Sequence, residues 1–182
     1  MRILLRVFVF IAISGLFINQ SFGQKKCKYE YEDSDPFTGK ILKGTSTAIF
    51  PVSISTKEFW HVGFERINDK FNIVNNIHLS GELSVDLNPG DSLMFATKDG
   101  GVVTCYATKE ISPTTIIDKV LNETIITSGY ISRYQISLNQ VEALADSEIT
   151  NIRMNIGDQV YKQPIKAKHA RDFQNDANCI LK

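Results

Sequence analysis

The 182-residue chain is poor in several things, and each shortage excludes something. Three Cys, with no CxxC and no paired spacing, exclude a zinc finger and a densely cross-linked mini-domain. Five Pro and eleven Gly against 43% apolar residues exclude a collagen-like or disordered chain. Lys+Arg and Asp+Glu balance at 20 each, so the broad basic excess of a nucleic-acid surface is missing. There is no GxGxxG or Walker loop, no GxSxG and no SxxK, so no nucleotide cradle or serine nucleophile is announced.

What is present begins with an address. Met1–Arg6 is short and basic, and Val7–Ile18 is an apolar run interrupted only by Ser14 and Gly15. Ser21 and Gly23 then supply small residues at −3 and −1 of a cut before Gln24. This is the plan of a secretory signal. The apolar run has 12 residues, whereas a membrane helix takes about 20. Residues 1–23 are therefore expected to be a removable signal and 24–182 a single β-rich domain. The mature chain is expected in the periplasm or outside the cell, with no stable membrane insertion once the signal is removed.

After residue 23, Ile, Val and Thr make up 39 of 159 residues, while Leu and Ala together make up 17. Branching at Cβ stiffens χ1 and suits a pleated sheet better than a helix. Turn chemistry punctuates the strands. Asp35-Pro36-Phe37-Thr38-Gly39 separates Lys28–Glu32 from Lys40–Leu42. Asn88-Pro89-Gly90-Asp91 follows the alternating Leu83–Leu87. Asp99-Gly100 joins Ser92–Thr97 to Val102–Thr108, and Gly157-Asp158 joins Thr150–Ile156 to Gln159–Ile165. Ile152, Met154 and Ile156 alternate with Asn151, Arg153 and Asn155, which marks an antiparallel sheet with one dry and one wet face.

Two helices are predicted. Ser137 and Gln140 have the spacing of a capping box, and Val141, Leu144 and Ala145 form an apolar stripe ending near Asp146. From Ala167, the residues Ala170, Phe173, Ala177 and Ile180 recur at helical spacing. The expected fold is mainly β with minor α, an antiparallel β-sandwich or curved sheet, with a short helix near 138–146 and a C-terminal helix. Ser112–Glu123 shows no clean period and reads as a long loop. Asn122-Glu123-Thr124 matches a short glycosylation acceptor pattern.

Glu58–Arg66 and Phe71–Leu79 read as a hairpin turning at Asn68-Asp69. Symmetry about that turn pairs Trp60 with Ile77, Val62 with Asn75 and Phe64 with Ile73, a mostly apolar face meant for the core. The other face then carries Phe59 beside His78, His61 beside Asn76 and Glu65 beside Asn72, with His61 and His78 diagonal neighbours. Two imidazoles fall short of the three protein ligands that zinc needs, so neither a metal nor another cofactor is expected there. Phe59, His61, Asn76 and His78 are the candidate binding residues, an aromatic-plus-amide patch suited to a sugar or an extended peptide.

Among the cysteines, Cys105 lies in an apolar strand and reads as an inert buried thiol. Cys27 and Cys179 stand near the two ends of the mature chain, where one bridge would close a very long loop.

The signal ending Ser21-Phe22-Gly23-Gln24, the runs Arg66–Phe71 and Leu87–Leu93, and the stretch from Ile136-Ser137 through Leu144 to Ile152-Arg153-Met154 together resemble small uncharacterised exported proteins of the Bacteroidetes lineage. That resemblance implies a β-rich exported protein and carries no activity. The expected role is a non-catalytic module binding a ligand or a protein partner. The alternatives are an extracytoplasmic hydrolase with a loop-built site, for instance on Ser112–Glu123, and a structural subunit assembling through a sheet edge.

Overall fold

A computed structural model describes residues 27–50, 58–120 and 123–182. The signal-sequence reading of residues 1–23 and the acceptor Asn122 lie outside the described residues. The chain is mainly β, and all strand pairings among the described residues are antiparallel. Strands β1 (Tyr31–Ser34), β2 (Ile41–Gly44), β3 (Thr47–Phe50), β4 (Phe59–Ile67) and β5 (Lys70–Ser80) come first. They join β8 (Thr114–Val120) and β9 (Glu123–Ile136) in a seven-stranded curved sheet of order β1-β2-β4-β5-β9-β8, with β3 also on β4. The second sheet has the order β11-β10-β6-β7, built from β6 (Ser92–Thr97), β7 (Val102–Tyr106), β10 (Ile149–Ile156) and β11 (Gln159–Pro164). Two helices stand among the described residues, α1 (Leu138–Asp146) and α2 (Ala167–Ile180).

The β4–β5 register is the one that symmetry about Asn68-Asp69 demands. Trp60 faces Ile77, Val62 faces Asn75 and Phe64 faces Ile73. Asn68 takes a positive φ of 55°, which an Asn tolerates, and this lets two residues close the hairpin. The apolar face of this hairpin looks toward the second sheet. Helix α2 packs against β3, β4 and β10. Its Phe173, fully buried, lies 4.8 Å from the Phe64 ring and 5.3 Å from the Phe95 ring, so one aromatic ties both sheets to the helix. Ala170, Phe173, Ala177 and Ile180 are all buried, as their spacing requires, and Val141, Leu144 and Ala145 are buried on α1. The Ser137–Gln140 capping box forms in full.

One polar group is placed inside this apolar face. Asn75 is fully buried, accepts from Trp60 Nε1 at 2.6 Å and donates to Ser132 Oγ at 3.3 Å. The indole N–H and the amide satisfy each other, and that is what makes their burial tolerable.

Three expectations need correction. Ser112–Glu123 is not a long loop, because Thr114–Val120 pairs with Glu123–Gly129 as β8. Its β-branched content is sufficient for an edge strand, which needs no alternating pattern when both faces are partly wet. Leu83–Leu87 alternates but forms no strand. Its backbone is tied by a Leu87–Ile111 bridge, by the Leu83 N–H donating to Ser128 Oγ and by the Val85 carbonyl accepting from Tyr130 Oη, and Leu87 is fully buried in the core. The first strand begins at Tyr31 rather than Lys28, because the Cys27–Cys179 bridge draws the preceding residues toward α2.

Candidate functional site

The bridge itself joins Cys27 to Cys179 with their Cα atoms 5.5 Å apart. Tyr29 adds a hydrogen bond from its hydroxyl to the Cys179 carbonyl at 3.0 Å. A persistent disulfide belongs to an oxidising compartment. Cys105 remains a free, buried thiol whose pKa burial pushes up to about 12. A buried thiol that resists ionisation is a poor nucleophile.

The seven-stranded sheet has a second face, turned away from the core, and the four candidate residues share it. His61 pairs with Asn76, and Phe59 pairs with His78. The rows continue onto β9, where Asn76 faces Ile131 and His78 faces Gly129. All four candidates are half-buried rather than covered. The rings pack on one another. Phe59 stacks on His78 at 4.3 Å between centroids and meets His61 edge-on at 5.2 Å. The other side of the His78 ring lies over Gly129, where a Cβ would fall 2.7 Å from its Cδ2. Both broad faces of His78 are therefore occupied, and the patch offers ring edges and imidazole nitrogens rather than a flat platform.

Burial lowers the pKa of both imidazoles from the ordinary value; at His61 the nearby Glu30 carboxylate opposes this in part. Both rings are thus neutral at neutral pH, each with one donor and one acceptor nitrogen. Neither has a hydrogen-bond partner among the described residues. Asn76 Oδ1 is buried and likewise has none. Asn76, His61, Glu30, Tyr31 and Ile131 line a hollow of about 140 Å³. Gly63 forms its floor, and only glycine fits there: a Cβ would lie 1.8 Å from the Thr45 carbonyl oxygen, where the chain between β2 and β3 folds over β4.

Glu65, on the same face, is a finding that sequence reasoning placed beside Asn72 but did not explain. Its side chain is only 4% exposed. It accepts from Tyr31 Oη at 2.9 Å, from Arg133 Nε at 3.1 Å and from Asn72 Nδ2 at 3.2 Å. Three donors from three strands make a buried carboxylate tolerable. The partners come from positions far apart in the chain, and local spacing gave no signal of them. Among the described residues, no group of three or more His, Cys, Asp or Glu could hold a metal ion, and no helix is long and apolar enough to cross a membrane.

Comparison with protein-family models, with curated proteins and with solved structures gives no match to this chain.

Proposed function

We propose that this is an exported, non-catalytic binding module that seats a carbohydrate on the outer face of its larger sheet, at Phe59, His61, Asn76 and His78. The observation that carries the reading is the buried amide oxygen of Asn76, which has no partner among the described residues and stands beside two neutral imidazoles equally without one there. Buried polar atoms are nearly always paired, so an atom of this kind marks a place where a ligand or ordered water completes the bond. Sugar hydroxyls both donate and accept, which matches an amide oxygen set beside imidazole nitrogens. Phe59 and Ile131 supply apolar edges for the ring carbons.

A peptide is disfavoured at this spot because β4 and β5 are paired on both sides here and leave no backbone ladder to extend. The balanced charge gives no support to a nucleic-acid ligand. The disulfide and the apolar leader support export, to the periplasm or beyond the cell. The hydrolase alternative loses the loop on which it leaned, since that segment is β8.

The test is calorimetric titration of the disulfide-bonded mature protein with a panel of neutral oligosaccharides. A saturable heat that Asn76→Ala and His61→Ala each weaken roughly tenfold is expected, the size of one lost hydrogen bond in a desolvated site. Absence of binding across the panel, or binding unchanged in both variants, overturns the reading.

A further inference from the structure

Each edge of the seven-stranded sheet leaves backbone without a strand partner among the described residues, acidic side chains standing at one and Arg133 and Lys109 at the other, where β7 also approaches β9. At one edge, β1 pairs only with β2 among the described residues, and all four of its residues are exposed. It lies in an acidic run of Glu30, Glu32, Asp33 and Asp35. Glu32 is engaged by Lys43 at 3.1 Å, and Asp33 has no side-chain partner among the described residues. At the other edge, β8 covers β9 only as far as Gly129. From Tyr130 to Ile136, β9 pairs with β5 alone among the described residues. Beside this bare stretch runs a groove of about 300 Å³ between β9 and the segment after β7, lined by Ile131, Arg133, Gln135, Thr108 and Lys109 among others. No carboxylate lines it. Arg133 is held in place by Glu65 beneath while 59% of its side chain stays exposed, and Lys109 has no ion-pair partner among the described residues.

An unpaired row of backbone N–H and C=O groups is a template for another strand, and native proteins usually blunt it with charge or cover it. Here the charge at one edge complements the charge at the other. We infer that the acidic β1 edge of one copy of this chain adds to the bare end of β9 in a second copy, and the sheet continues from molecule to molecule. The four residues of β1 fit within the seven-residue uncovered stretch Tyr130–Ile136. Asp33 lies on the same side of the sheet as Tyr31, and in a continued sheet that side also carries Arg133. The Asp33 carboxylate would therefore be set against the Arg133 guanidinium and the Lys109 ammonium. The contact is head-to-tail, so it repeats rather than closing as a symmetric pair. It uses neither His61 nor Asn76, and although Tyr31 and Ile131 border both sites, association is tested separately from the carbohydrate reading.

The experiment is sedimentation velocity of the disulfide-bonded mature protein over a range of concentration and salt. Concentration-dependent association that weakens as salt rises is expected. Asp33→Lys and Lys109→Glu, both at exposed positions, should each weaken it roughly tenfold or more by setting like charges together. Mixing the two variants, or combining both changes in one chain, should restore it. A synthetic peptide of residues 28–35 should dissociate the wild-type assembly and should fail to bind Lys109→Glu. A protein that stays monomeric at all concentrations and salts overturns the inference. So does association that ignores both reversals, which would place the contact on another surface. Far-ultraviolet dichroism of each variant checks that its fold is intact.

Discussion

Removing the Cys27–Cys179 bridge is the perturbation whose size the structure fixes best. The linked residues are 152 apart in sequence, so the bridge closes nearly the whole described chain. In the chain-entropy treatment, a loop of that length removes about 17 cal/mol/K from the unfolded ensemble, or about 5 kcal/mol at 25 °C. The 5.5 Å Cα separation is ordinary for a disulfide, so the native chain need not distort to make the bond. The same junction has non-covalent support, because Cys179 is buried and its carbonyl accepts from Tyr29. The double variant Cys27→Ser/Cys179→Ser should therefore fold, and its sheets should be unchanged. Its stability should fall by about 3–5 kcal/mol in urea unfolding, with a melting temperature lower by about 10–15 °C. The urea m-value should rise, since the unfolded chain without its tie exposes more surface. Cys105 stays in both proteins and has no part in the change. A loss below about 1 kcal/mol with an unchanged m-value would refute the reasoning, because it would mean the bridge does not constrain the unfolded chain.

Two further outcomes follow from packing and protonation. Phe173→Ala removes the ring that touches both Phe64 and Phe95 and should cost about 3–5 kcal/mol in the same unfolding assay; a loss under 1 kcal/mol would mean that the sheets close over the gap. His61 and His78 have folded pKa values below their unfolded ones, so the unfolded chain binds protons more readily as the pH falls. Their contribution is present above about pH 6.5 and is lost as the pH falls through the lowered folded values. Denaturant midpoints should thus decline modestly on acidification in the wild type and less in His61→Gln/His78→Gln, and identical pH profiles for the two proteins would contradict this.

Much of this protein was determined by local sequence. The Asn68-Asp69 turn, with Trp60, Val62 and Phe64 alternating on one side and Phe71, Ile73 and Ile77 on the other, set the β4–β5 register, because a one-residue slip would have turned Trp60, Val62 and Phe64 out to water. That register by itself put Phe59, His61, Asn76 and His78 on one face. Helical spacing marked α1 and α2 together with their buried residues, since a stripe of apolar side chains has only one way to leave solvent. Tertiary structure decided what depends on residues distant in the chain. It stacked His78 between Phe59 and Gly129, which made the patch a set of ring edges. It gathered Tyr31, Asn72 and Arg133 around Glu65, and it left β9 uncovered past Gly129 opposite an acidic β1. Periodicity reports how a side chain stands relative to its own strand. Which strand lies next to it, and where that neighbour stops, is settled only when the sheet is assembled.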